Sequence, residues 1–151
     1  MFKKISLIKL IIFSYILLAI LIIIPFHITT HYFNLNIGGS DFQNDSLIKK
    51  IFLIVIFGPA LETLIFQVGI ISIIKKILPK LPFIAIIISA LFFGLSHFYS
   101  TIYIYYTFMV GLFLGTLYFI ASKRGFNPFL VVFSVHALDN LILFITFEYI
   151  I

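Results

Sequence analysis

Five polar side chains sit inside apolar segments of this chain: Glu62, His97, His136, Asp139 and Asn140. Their types suit hydrolysis. A carboxylate beside an imidazole can hold a water molecule and take a proton from it, while further N–H donors stabilise a developing oxyanion. Thiol nucleophiles, disulfides and zinc–thiolate sites are excluded, because the chain has no cysteine. A charged group at mid-membrane depth costs roughly 2.5 to 3.5 kcal/mol on insertion scales, so it usually faces a protein interior or wet cavity and has a use. The bland alternative for any one of these residues is a hydrogen bond that bridges two helices.

Spacing puts four of the five at comparable depth. Glu62 lies 13 residues before Lys75, His97 lies 15 after Pro82, and His136 and Asn140 lie 9 and 13 after Asn127. At about 1.5 Å per residue they stand roughly 20, 22, 14 and 20 Å from the basic ends of their segments. Phe93 and His97 are four apart, as are His136 and Asn140, so each pair presents to one face if its segment is helical. Polar groups from three segments converging on one layer favour a site over separate bridges.

The elements that must carry these residues follow from composition. The chain has 151 residues, 63% of them apolar and 10% charged, with a mean hydropathy of +1.26. No water-soluble domain of this size could bury so much apolar surface. The sequence predicts an all-α, multi-spanning transmembrane bundle of about five helices, each crossing needing about 20 residues. The basic residues fall in short clusters at segment ends and read as topology signals, so no nucleic-acid partner is expected.

The first apolar run, Leu10 to Phe26, follows Lys3, Lys4 and Lys9 and reads as a first transmembrane helix rather than a signal peptide. His27 to Asp45 reads as an extracytoplasmic loop, with His27 and His31 as solvated interface histidines rather than metal ligands. A second helix from Leu47 to about Lys75 holds Glu62. Pro59 inside it removes one backbone hydrogen bond, so a kink or free carbonyl is expected one turn before the carboxylate. A third helix runs from Pro82 to about Ser100. Tyr99, Tyr103, Tyr105 and Tyr106 suggest an aromatic belt where the chain turns back. The fourth, about Ile102 to Ala121, carries Gly111 and Gly115 at the spacing of close helix packing. Asn127-Pro128 reads as an N-cap and first-turn proline opening the fifth. The division is residues 1–46, an N-terminal helix and loop, and 47–151, a four-helix catalytic core. Positive charge at the N-terminus, at 75–80 and at 123–124 places those ends in the cytoplasm, with Lys49 and Lys50 dissenting. The Ile, Phe, Lys and Asn bias points to a bacterial source and hence to the bacterial cytoplasmic membrane.

These motifs resemble the CPBP family of intramembrane proteases, the CAAX endopeptidases and bacteriocin-processing enzymes. The family's Glu-Glu-x-x-x-Arg stands here as Glu62-Thr63-Leu64-Ile65-Phe66-Gln67, its Phe-x-x-x-His as Phe93 to His97, and its His-x-x-x-Asn as His136 to Asn140. Gly111 to Tyr118 is similar to its glycine-rich helix. The second glutamate is replaced by Thr63 and the arginine by Gln67. A possible salt bridge one helical turn long thereby becomes, by expectation, a neutral hydrogen bond.

The resemblance implies hydrolysis of a peptide or membrane-protein substrate within the bilayer. Glu62 and His97 would activate water, and His136 and Asn140 would donate to the oxyanion. Thr63, Gln67 and Phe93 would support the site or contact substrate. Asp139 is three residues from His136 and would orient that ring or bond another helix. No metal cofactor is expected; zinc held by Glu62, His97 and His136 ranks lower, since no His-Glu-x-x-His helix is present. The rival readings are a non-catalytic membrane protein of the same fold, acting in immunity or protein interaction, and a small transporter using the same polar layer.

Overall fold

Residues 6–35 and 46–149 are described by a computed structural model in which the apolar segments form five helices. They are α1 (Leu7–Tyr32), α2 (Leu47–Ile77), α3 (Pro82–Ser96), α4 (Thr101–Lys123) and α5 (Pro128–Tyr149). All but α3 are long and apolar enough to cross a membrane. The chain is an all-helical, multi-pass membrane protein.

Local chemistry sets the helix ends. Ser6, Ser46 and Ser100 cap α1, α2 and α4 by accepting from Lys9, Lys49 and Tyr103 backbone N–H groups. Asn127 Oδ1 does the same for Leu130 N–H ahead of Pro128, the cap and first-turn proline expected from sequence. The end of α4 closes on Gly125 at φ +76, with Phe126 N–H donating to the Ala121 carbonyl and Gly125 N–H to that of Ser122.

Two boundaries differ from the sequence reading. Helix α1 continues through His27 and His31 to Tyr32 instead of ending near Phe26. The Thr29 and Thr30 hydroxyls donate to the Pro25 and His27 carbonyls, at 2.8 and 3.1 Å, so these polar residues stay helical. The rest of the expected loop, with Gly38, Gly39, Ser40, Asp41 and Asp45, lies outside the described residues. Helix α3 stops at Ser96 rather than Ser100, because Ser96 and His97 turn their side chains onto the Phe93 carbonyl and Ser100 already caps the next helix. Fifteen residues rise about 22 Å, short of a roughly 30 Å hydrocarbon layer.

Helices α3 and α4 form the tightest pair. A Cβ on Gly94 would come within 3.0 Å of Phe108 Cβ and the Ile104 carbonyl, and one on Gly111 within 3.0 Å of Ala90 Cα. That close approach fixes where the last turn of α3 delivers His97. At the opposite end, Lys75 Nζ sits 5.0 Å above the Phe119 ring, bringing the ends of α2 and α4 together. The expected aromatic belt is divided. Tyr99 and Tyr105 are exposed, whereas Tyr106 is buried and stacks on Phe26 of α1, 4.1 Å between ring centres. Tyr103 shares its face, because residues three apart on a helix point the same way.

Two stretches of α2 are π-helical, Phe52–Phe57 and Thr63–Ile70, and so is Ala19–Ile23 of α1. Two of the three end just before a proline. Ile24 N–H bonds back five residues to the Ala19 carbonyl ahead of Pro25, and Gly58 N–H to the Leu53 carbonyl ahead of Pro59. A π turn pairs each N–H with the fifth carbonyl back, so Pro59, lacking an N–H, leaves the Ile54 carbonyl without a helical donor.

Candidate active site

Glu62 stands at the end of the short α-helical stretch Gly58–Glu62, between the two π segments of α2. Its Oε1 lies 3.8 Å from His97 Nε2 and its Oε2 lies 3.5 Å from His136 Nε2. Three helices therefore bring one carboxylate and two imidazoles together. The carboxylate keeps 29% of its side-chain surface, against 16% for His97 and 4% for His136, so the site opens on the Glu62 side.

His97 reaches this position from beyond the end of α3, not from a shared helix face. It is the C-cap residue, with φ −103 and ψ 53. Its Nδ1 lies 2.8 Å from the Phe93 carbonyl, and a carbonyl only accepts, so Nδ1 carries the hydrogen. In the neutral ring this leaves a lone pair on Nε2, facing Glu62. Two acceptors 3.8 Å apart fit a bridging water that donates to both, or a shared proton. His136 differs: its Nδ1 has no partner, and Nε2–H is the donor that can face the carboxylate.

Phe93, 1% exposed, spaces the two imidazoles. Its ring centre lies 4.7 Å from that of His97 and 5.6 Å from that of His136, with Phe66 of α2 edge-on at 5.5 Å. The same residue's carbonyl fixes the His97 tautomer. The ring of Tyr103 lies 5.9 Å from that of His97, on the side that sequence reading gave to a lipid interface. Its position was legible from the i, i+3 spacing to Tyr106.

Asn140 is not joined to this cluster. Its Nδ2 donates to the Ile54 carbonyl at 2.9 Å, the carbonyl that Pro59 leaves free. The free carbonyl expected near Pro59 thus exists, but eight residues before Glu62 rather than one turn: an α register would already free Val55, seven residues before it, and the π register moves the site back one more. Asp139 is buried with Oδ1 unpartnered, and makes no direct bond to the likewise unpartnered His136 Nδ1. It lies within electrostatic reach of the phenols of Tyr15, Tyr103 and Tyr106 instead.

The hydrogen bond expected between Thr63 and Gln67 is absent. Both side chains are wholly buried, and Thr63 Oγ1, Gln67 Nε2 and Gln67 Oε1 all lack partners. They fall in the second π segment, whose wider turn changes the register on which i, i+4 pairing rests. Beside them, Ser89 Oγ donates to the Phe66 carbonyl at 2.9 Å and ties α3 to this segment.

Among the described residues, no group of three His, Cys, Asp or Glu side chains is arranged to hold a metal ion. Comparison with known proteins adds one match. A family model described as Rce1-like, type II CAAX prenyl endopeptidase, covers residues 44–142. No curated protein and no solved structure matches the chain.

Proposed function

Because the chain belongs to the Rce1-like family of type II CAAX prenyl endopeptidases, we propose that it hydrolyses a peptide bond within the membrane, at Glu62, His97 and His136. The observation that carries this reading is the apposition of the Glu62 carboxylate to the lone pair of His97 Nε2, with His136 Nε2 3.5 Å from the other carboxylate oxygen.

The mechanism follows from those atoms. A water donates one hydrogen to Glu62 Oε1 and the other to His97 Nε2. One of the two bases takes a proton as the water oxygen bonds to the peptide carbonyl carbon. The carbonyl oxygen becomes an oxyanion, and His136 Nε2–H stabilises it. When the C–N bond breaks, the proton held by the base passes to the leaving nitrogen, giving a carboxylic acid and an amine. Long contacts of 3.5 to 3.8 Å suit a resting site that tightens around water and substrate. Phe93 holds the rings apart and Tyr103 walls the His97 side.

Residues 47–151 form the catalytic core in this reading and α1 packs onto it. The membrane is the bacterial cytoplasmic membrane, with the N-terminus and the ends near Lys75 and Lys123 inside the cell. A non-catalytic role draws support from one observation, the neutral and unpartnered Thr63 and Gln67 where the resemblance expects charge. The deciding comparison is between cells carrying the wild type, Glu62→Gln and a deletion, with peptide termini mapped in membrane and secreted fractions. Hydrolysis requires that Glu62→Gln and the deletion lose the same cleaved ends. If Glu62→Gln keeps every end that the deletion loses, Glu62 is no base and the non-catalytic reading replaces the enzyme.

A further inference from the structure

The Asn140 side chain is used at a place the catalytic cluster does not explain. It crosses from α5 to α2 and ends on a backbone carbonyl, eight residues ahead of Glu62. The Ile54 carbonyl is open to it for two combined reasons. The π turn Phe52–Phe57 commits Gly58 N–H to Leu53, so it cannot serve Ile54, and the next amide in that register belongs to Pro59. Gly58 suits this geometry, since a Cβ there would meet the Leu53 carbonyl at 2.9 Å. In hydrocarbon no water replaces the missing donor, so an unpaired carbonyl must find one from the protein.

We propose that Asn140 supplies the hydrogen that Pro59 cannot, clamping α2 in its π register and thereby fixing the height and rotation at which Glu62 meets His97 and His136. Asn140 is then a positioning residue acting through helix α2. Glu62 follows Pro59 within one short α-helical stretch, so a slip in the register at Ile54 shifts the carboxylate directly. This role in turnover rests on the hydrolytic reading; the clamp itself does not.

The test is a cycle of Pro59→Ala, Asn140→Ala and the double variant, made in the full chain and reconstituted in lipid bicelles. Pro59→Ala restores a backbone N–H that can reach the Ile54 carbonyl, which makes Asn140 dispensable. With Pro59 present, Asn140→Ala leaves a carbonyl unpaired and should shift the unfolding equilibrium roughly ten- to a hundredfold. In the Pro59→Ala background the same substitution should shift it less than about threefold. Turnover per folded molecule, measured on a peptide whose cleavage the Glu62→Gln comparison reveals, should follow the same pattern. Asn140→Ala should lower kcat with KM unchanged, and Pro59→Ala should restore most of the loss. Equal stability penalties in both backgrounds overturn the clamp. A kcat penalty equally large in the Pro59→Ala background returns Asn140 to direct contact with the reacting atoms and overturns the positioning role. If Glu62→Gln retains cleavage, the hydrolytic reading falls, while the stability cycle still decides the clamp.

Discussion

Thr63 and Gln67 offer the sharpest quantitative test of how the interior of α2 is built. Both are wholly buried, one with an unpartnered hydroxyl and the other with both amide atoms unpartnered. A buried polar group without a partner costs about 1 to 3 kcal/mol, and replacing it with an apolar group of similar shape removes that cost. Thr63→Val deletes one such atom and Gln67→Met deletes two. At the lower end of that range the expected stabilisation is about 1 kcal/mol for Thr63→Val and about 2 kcal/mol for Gln67→Met. No hydrogen bond joins the pair, so the double variant should gain their sum to within about 0.5 kcal/mol, as for sites that share no partner. Reversible unfolding by steric trapping in bicelles measures all three. Destabilisation of more than about 1 kcal/mol by either single change would show that the atom it deletes is satisfied in the folded protein. A coupling above that size would show that the two share a hydrogen bond.

The remaining expectations concern packing and topology. Gly94→Ala forces a methyl against Phe108 and the Ile104 carbonyl at 3.0 Å, so it should destabilise the α3–α4 pair by about 1 to 3 kcal/mol, read in the same unfolding assay. A loss below about 0.5 kcal/mol would mean that the two helices separate easily at the turn that delivers His97. Alkaline phosphatase fused after Ile151 should be active outside the cytoplasm if five helices lead from a cytoplasmic N-terminus. An inactive phosphatase, paired with an active cytoplasmic reporter at the same place, would invert the proposed orientation.

Why the sequence revealed some of this and not the rest depends on which physical quantity each inference used. Depth needs only the rise per residue and helix ends marked by Lys75, Pro82 and Asn127, and that arithmetic put Glu62, His97, His136 and Asn140 in one layer. Contacts of 3.5 and 3.8 Å join the first three, while Asn140 bonds the Ile54 carbonyl. Direction needs rotation about the helix axis, which depends on an unbroken α-helical period. That condition fails at His97, which lies past the end of α3, and at Thr63 and Gln67, which lie in a π segment. Spacing alone therefore put Phe93 and His97 on one face and joined Thr63 to Gln67; the first pair meets through a C-cap instead, and the second does not bond. Tyrosines near a chain reversal suggested a belt by composition, while periodicity, which separates Tyr103 and Tyr106 from Tyr105, carried the better signal.

Asn140 shows what a sequence reading needs in addition to depth. A polar residue in a membrane helix can serve the reacting atoms or the backbone, and its type and depth are the same in either case. What separates the two is whether some neighbouring carbonyl lacks its helical donor. Pro59 announces such a carbonyl in the sequence, but the π turn moves it back by one residue, and only the packing of α5 against α2 identifies Asn140 as the group that reaches it. Pro25 in α1 follows the same π-then-proline pattern, yet Ile20, whose carbonyl falls in the same register, stands on an exposed side of that helix. The proline rule is local and recurs. The partner is a tertiary fact, and at Pro59 it comes from the helix that also carries His136, so the same packing that assembles the polar cluster also holds the helix bearing its carboxylate.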